Sequence, residues 1–104
     1  MEKIVEQGLL YDFYGELLTA HQRQVYEAWV YDNMSLSEIA EDFSISRQGV
    51  HDLIKRCDKL LNGYEDKLHL IEKFMKIKDA VKEIEKVSDQ PQVKQLANEI
   101  LETI

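Results

Sequence analysis

Six polar residues between positions 46 and 56 have the side-chain types that contact nucleic acids. They are Ser46, Arg47, Gln48, His51, Lys55 and Arg56. A helix that begins after Ser46 would carry the other five on its outward side. Arginine pairs with guanine, glutamine pairs with adenine, and lysine binds phosphate oxygens. The pattern therefore predicts a nucleic-acid contact face, on which the residues at the helix start read the bases.

A helix-turn-helix between Leu36 and Arg56 is the element that would position this face. Ala40 supplies the small side chain that two closely crossing helices need, and Ile45 fills the turn between them. Val50 lies among the inward residues of the second helix, opposite the polar face. This spacing predicts two helices at a steep angle, with the second one presented outward.

Two residues depart from the usual form of this motif. Ser44 occupies the turn position that usually holds glycine, and Gly49 lies inside the second helix, where glycine costs about 1 kcal/mol. A helical hairpin used for protein contact therefore remains an alternative. In that case Arg47, Lys55 and Arg56 would form only a solvated face.

Other arrangements of reactive residues predict no active site. His21, His51 and His69 are scattered along the chain, and Cys57 would lie about 120° around a helix from His51. No metal-ligand spacing and no glycine-rich phosphate loop is present. We therefore expect no catalytic residues, no metal, no cofactor and no enzymatic activity, and we expect Cys57 to be a core residue.

Composition and charge narrow the function classes further. The chain of 104 residues has a net charge of −7, with −7 in residues 1–43, +2 in residues 44–61 and −2 in residues 62–104. An acidic protein does not coat nucleic acid unspecifically, so a specific target is expected. A single cysteine, no apolar run of about 20 residues and no basic leader predict a cytoplasmic protein without membrane insertion.

Helical spacing of apolar residues runs through nearly the whole chain, which predicts an all-α fold. Residues 1–62 are expected to form a helical core that contains the helix-turn-helix. Capping boxes start two of its helices, at Thr19-x-x-Gln22 and Ser35-x-x-Glu38. Asn62-Gly63 is interpreted as a helix stop, and residues 63–104 as a C-terminal helical arm with Pro91 opening its last helix.

The arm also predicts self-association. Five apolar residues follow a heptad spacing: Leu70, Phe74, Ile77, Val81 and Ile84. A second apolar set, Leu68, Ile71 and Met75, indicates contact with two surfaces, which favours a homodimer or a higher oligomer. The aromatic residues are expected in the core, with assignment to a subunit interface as the alternative for Tyr11 and Tyr31, which lie off the predicted apolar faces. The alternative is an arm that folds back on its own core.

Several stretches of the chain resemble known proteins. They are Leu10-Tyr-Asp-Phe-Tyr14, Leu18-Thr-Ala-His-Gln-Arg23, Leu36-Ser-Glu-Ile-Ala40, Ser46-Arg-Gln48 and Tyr64-Glu-Asp-Lys-Leu-His-Leu70. The second to fourth predicted helices resemble region 4 of bacterial sigma factors, which reads a promoter element. This resemblance implies a sigma-region-4-like or winged-helix-like three-helix core within residues 1–62. Over residues 1–74 the chain more closely resembles the YlxM family of small helix-turn-helix proteins.

That resemblance implies a regulatory protein that binds DNA or RNA and is linked to the signal recognition particle pathway. It would act by contacting the particle's RNA or GTPase, or by regulating their genes. An ordinary promoter-binding regulator of unrelated genes is an equal alternative. The rival class is a protein-interaction factor, a partner of RNA polymerase or of the particle GTPase, without direct nucleic-acid binding.

Overall fold

The computed structural model describes residues 2–104, and over that range it contains helices and no strand. The helices are α1 (Lys3–Tyr14), α2 (Ala20–Val30), α3 (Leu36–Phe43), α4 (Arg47–Leu68), α5 (Leu70–Val87) and α6 (Pro91–Thr103), with a short 3-10 helix, Gly15–Leu17, after α1. The predicted all-α class is confirmed. None of these helices combines the length and the apolar character that crossing a bilayer requires.

The chain forms two compact units, the first ending at Leu68 and the second spanning His69–Ile104. In the first unit, α1, α2 and α3 all pack against α4. The side chains with the least exposure come from three of these helices: Val25, Tyr26, Ile39, Val50, Cys57 and Leu61. Each lies on an apolar face that the helical spacing predicts, and Cys57 is a core residue as expected.

Both predicted capping boxes are present and fix where α2 and α3 begin. The Gln22 amide N–H donates to Thr19 Oγ1 at 3.2 Å, and the Thr19 amide donates back to the Gln22 side chain at 2.9 Å. The reciprocal bonds of Ser35 and Glu38 measure 3.1 and 3.0 Å. The backbone bond from Ser35 lowers the pKa of Glu38, because it stabilises the carboxylate.

The turn of the helix-turn-helix passes through a left-handed residue. Ser44 has φ 55° and ψ 41°, the conformation that glycine adopts most easily. The Ile45 amide then donates to the Ala40 carbonyl at 3.1 Å, which closes the end of α3. The left-handed geometry redirects the chain within three residues, so that α4 can begin at Arg47.

The predicted helix stop at Asn62-Gly63 is wrong, because α4 continues to Leu68. The Asn62 side chain donates to the Asp58 carbonyl within the helix at 2.8 Å, and no described glycine has a positive φ. Contacts with α1 hold the added turns: Tyr14 donates to Glu65 Oε1 at 2.5 Å. The helix ends instead at Leu68, because the next residue, His69, is left-handed with a φ of 55°. The two units consequently divide at positions 68 and 69, beyond the predicted boundary at 62 and 63.

Tyr11 lies in the core and not at a subunit interface. Its side chain is buried, with its ring 5.7 Å from that of Tyr26. Its hydroxyl donates to Glu27 Oε1 at 2.6 Å and accepts from Arg23 Nε at 3.3 Å. These polar partners let a tyrosine occupy the core, so the alternative interface assignment of Tyr11 is wrong. Tyr31 is half exposed, and its ring meets that of Tyr11 edge-on, with the ring centroids 5.5 Å apart.

The second unit is a hairpin of α5 and α6. Pro91 opens α6, as its position predicts. Only Val81 and Ala97 are buried in this unit. Within the predicted heptad, Leu70, Ile77 and Ile84 form a row with about 40% exposure, while Phe74 is half-buried and Val81 is buried.

Candidate nucleic-acid interface

Ser46 and Gly49 together build the start of α4. The Gly49 amide donates to Ser46 Oγ at 2.9 Å, and the Val50 amide donates to the Ser46 carbonyl at 3.0 Å. A Cβ at position 49 would lie 3.0 Å from Ser46 Oγ. Glycine at this position therefore leaves room for the cap. Ser46 is exposed, but its hydroxyl is already engaged with the helix backbone.

The other five predicted contact residues lie exposed on α4: Arg47, Gln48, His51, Lys55 and Arg56. We call these five side chains the reading face. They are arranged in two rows with a spacing of four residues, which places the members of each row on one side of the helix. The first row contains Arg47, His51 and Lys55. The second contains Gln48 and Arg56, with Asp52 between them.

Asp52 makes the two rows chemically different. Its Oδ1 accepts a hydrogen bond from Gln48 Nε2 at 2.9 Å and lies 3.5 Å from His51 Nδ1. The Gln48 amide is therefore already hydrogen-bonded, and a ligand that binds it would have to displace Asp52. A carboxylate in the second row also repels phosphate. The row of Arg47, His51 and Lys55 is the one better suited to an anionic ligand.

A buried polar network lies under α4 and was not predicted from the sequence. Asp58 accepts from Tyr26 at 2.5 Å and from the Gln7 amide nitrogen at 2.9 and 3.0 Å, and the Trp29 indole donates to Gln7 Oε1 at 3.1 Å. Burial, and then the bond to Asp58, raises the pKa of Tyr26, so its hydroxyl remains a donor. The network joins α1, α2 and α4 and fixes α4 relative to the helices behind it.

The spacing of Gln7 is a signal that could have revealed this network. Gln7 lies three and seven residues before Leu10 and Tyr14, which are both buried on the same side of α1. A polar residue in register with a buried face needs a buried partner. The partner, Asp58, is 51 positions away, and local spacing does not identify it.

Beside the first row lies an open cleft of about 300 Å³ between α1 and α4. Lys3, His51 and Lys55 contribute its polar lining, and Ile4, Trp29 and Leu36 contribute apolar lining. Gln7 and Asp58 of the buried network also reach it. The cleft and the reading face share His51 and Lys55, so the two features are continuous.

Cys57 and His51 do not form a reactive pair. Cys57 is fully buried and His51 is exposed, although both lie on α4. Burial raises the pKa of the Cys57 thiol to about 11, so the thiol is protonated at neutral pH. Over residues 2–104, no three His, Cys, Asp or Glu side chains are grouped closely enough to hold a metal ion.

Comparisons with known proteins agree with this architecture. A model of the UPF0122 family, described as helix-turn-helix proteins that are YlxM / p13 like, matches residues 1–101. A UPF0122 protein of Bacillus thuringiensis (strain Al Hakam) is 39% identical over all of this chain and 96% of its own length. A UPF0122 protein of Clostridium botulinum (strain Alaska E43 / Type E3) is 53% identical over 73% of this chain and 70% of its own.

Proposed function

Because the chain belongs to the UPF0122 family of helix-turn-helix proteins, we propose that it is a non-catalytic regulator that binds DNA or RNA through α4. The observation that carries this proposal is the exposed row of Arg47, His51 and Lys55 in the first half of the helix. The row begins at the capped end of α4. In a helix-turn-helix, that end of the second helix enters the groove.

The charge distribution supports a specific target rather than bulk nucleic acid. Residues 44–61 carry a net charge of +2, and the remainder of the chain is acidic. A complete backbone contact through Arg47, Lys55 and Arg56 would neutralise about three phosphates, which corresponds to a salt slope of roughly −3 for DNA. Affinity must then depend on base contacts and on the shape of the target.

Salt dependence tests this proposal against its main rival. Binding partners would be captured from cells with and without nuclease, and the affinity for each would be measured between 50 and 200 mM salt, a range over which phosphate contacts weaken measurably. A nucleic-acid target with a slope near −3 supports the proposal. Nuclease-resistant protein partners with salt-insensitive affinity would replace it with the protein-interaction factor.

Two observations support a second candidate function, that of a protein-interaction factor. Residues 1–43 carry a net charge of −7, and Asp52 places a carboxylate on the outward side of α4. Both features suit a basic protein surface better than a phosphate backbone. The candidate partners are RNA polymerase and the GTPase of the signal recognition particle.

The proposed setting is the signal recognition particle pathway in the cytoplasm, and it rests on the resemblance to the YlxM family. The protein would modulate the pathway by contacting the particle RNA or GTPase, or by regulating their genes. Binding to the purified RNA and GTPase, and GTP turnover with and without the protein, test the direct routes. This setting is wrong if the protein binds neither the RNA nor the GTPase, GTP turnover is unchanged, and a deletion strain expresses the pathway genes at unaltered levels.

We further propose that the protein is a homodimer formed through α5. The supporting observation is the row of Leu70, Ile77 and Ile84, whose members repeat every seven residues and remain about 40% exposed. Sedimentation at micromolar concentration should give a dimer mass. Ile77→Gln should shift it to a monomer, and Glu83→Gln on the same helix should not. A wild-type monomer would overturn this proposal.

A further inference from the structure

The cleft between α1 and α4 combines surfaces of two kinds. Two of its lining residues, Lys3 on α1 and Lys55 on α4, carry ammonium groups. Ile4, Ile54 and Trp29 supply apolar lining. A ligand that matches both kinds of surface has an anionic group joined to a compact apolar or aromatic body.

A hydrogen-bond acceptor in the lining of the cleft restricts the chemistry of the ligand further. Asp58 Oδ1 accepts two hydrogen bonds, whereas Oδ2 accepts one, from Gln7. A carboxylate has about four lone-pair sites, so Oδ2 retains acceptor capacity. Tyr26 and Gln7 hold this carboxylate in place, and Asp58 lines the cleft. The site therefore suits a body that carries an amino donor.

We propose that the cleft binds one unstacked nucleotide whose base carries an exocyclic amino group. Lys3 and Lys55 bind the phosphate, the apolar wall with Trp29 takes the base, and Asp58 accepts from the amino group. Adenine, cytosine and guanine have such a group, and uracil and thymine do not. The volume of about 300 Å³ lies at the lower end of ligand pockets, as expected for one nucleotide.

This inference deepens the proposed nucleic-acid function and rests on it. A base within a duplex is stacked and paired, so it cannot enter a cleft at the side of α4. The reading face and the cleft share His51 and Lys55. A strand bound along α4 can therefore place an unpaired base in the cleft, as proteins that recognise RNA loops commonly do.

Trp29 is the only tryptophan of the chain, so its fluorescence reports on the cleft directly. The full chain would be titrated with AMP, UMP, inorganic phosphate, a single-stranded adenine-rich oligonucleotide and the same oligonucleotide as a duplex. Binding would be followed in parallel by anisotropy of labelled oligonucleotides. AMP and the single strand should change the Trp29 signal, with UMP weaker by about tenfold, and phosphate or duplex should not change it.

Matched lysine variants locate the effect. Lys3→Ala should weaken AMP and single-strand binding by about five- to tenfold, whereas Lys67→Ala, farther along α4, should leave both unchanged. Ile4→Phe should occupy part of the cleft and reduce the Trp29 response, and circular dichroism would confirm that each variant is folded. Ile4 is 37% exposed, so its replacement should not unfold the core.

The outcomes separate the inference from the function on which it rests. If oligonucleotides bind by anisotropy but single strand and duplex affect Trp29 equally, or not at all, the cleft inference is wrong and the proposed function stands. If AMP changes the Trp29 signal while the single strand does not, the cleft takes a free nucleotide and not a base of a bound strand, so the inference is wrong. If neither AMP nor the single strand changes the Trp29 signal, the inference is wrong as well. The proposed function fails only if capture from cells, with and without nuclease, identifies no nucleic-acid target.

Discussion

The two units of this protein bury their apolar residues very unequally. Of the fourteen buried apolar residues in the described part of the chain, only Val81 and Ala97 belong to the second unit. The first unit adds a buried polar network around Asp58 to its apolar core. The second unit instead leaves Leu96 and Ile100 of α6, and Ile104 just after it, more than 40% exposed.

The difference bears on the two proposed roles. Helix α4 is held by three helices and a hydrogen-bonded network, as the proposed contact with nucleic acid requires. The hairpin of α5 and α6 leaves leucine and isoleucine side chains exposed, and the proposed dimer would cover those on α5. The contrast agrees with the proposed division between a binding unit and a self-association unit.

The largest expected effect is on the free energy of unfolding, and it is seen by comparing one isoleucine from each unit. Ile39 has no exposed surface, whereas Ile100 is 42% exposed. Ile39→Ala should lower the free energy of unfolding by about 2–5 kcal/mol, because it leaves a cavity in the core. Ile100→Ala should cost less than about 1 kcal/mol. Urea denaturation measures both, and equal losses would remove the contrast between the units.

The polar network provides the next comparison. Asp58→Ala leaves Gln7 and Tyr26 without their acceptor in a buried site, which should cost about 3 kcal/mol. Asp66→Ala, at an exposed position on the same helix, should change the free energy of unfolding by less than about 0.5 kcal/mol. If the Asp58 variant were as stable as the Asp66 variant, the network would not hold α4.

Alkaline pH should destabilise the first unit through Cys57. The thiol has a pKa of about 11 in the folded protein against 9.0 for an unperturbed cysteine, so the unfolded chain loses its proton first. Its contribution is complete below pH 9 and falls by up to about 1.4 kcal/mol per pH unit as pH rises toward 11.

Cys57→Ala tests this pH dependence. In the variant, the free energy of unfolding should fall less steeply between pH 9 and 10 than in the wild type. The buried tyrosines should still lower stability above pH 10, because burial raises the pKa of Tyr11 and Tyr26. An unchanged slope in the variant would show that Cys57 is not the titrating group.

The smallest expected effect is a gain in stability. Ser44 adopts a left-handed conformation, which is unfavourable for residues with a Cβ. Ser44→Gly should raise the free energy of unfolding by about 1 kcal/mol. Asn33→Gly should give less, although Asn33 has φ 54°, because asparagine tolerates this region. Thermal unfolding compares the two variants, and a loss of stability in Ser44→Gly would contradict the prediction.

Sequence patterns predicted the local features of the fold well. The capping boxes at Thr19 and Ser35 and the start of α6 at Pro91 depend on neighbouring residues, and each is visible in the sequence. The buried face of α4 follows from helical spacing for the same reason.

Features that depend on distant contacts were not predictable in this way. Helix α4 passes through Asn62-Gly63, and residues beyond this pair contact α1. The tilted rings of Tyr64 and Tyr14 have centroids 6.0 Å apart, and Glu65 accepts a hydrogen bond from the Tyr14 hydroxyl. Tyr11 is buried because Glu27 and Arg23 satisfy its hydroxyl. Of the six residues proposed to bind nucleic acid, five lie on α4 and Ser46 caps its start, and their role remains a prediction.

The most direct test of that role compares two variants of the reading face on two targets. A target sequence would be selected from random oligonucleotides, and binding to it and to the unselected pool would be measured for Arg47→Ala, Lys55→Ala and the control Lys67→Ala. Arg47→Ala should lose about 1–3 kcal/mol on the selected target and less on the pool, whereas Lys55→Ala should weaken both equally. If both variants bind like Lys67→Ala and the wild type, α4 does not contact the nucleic acid.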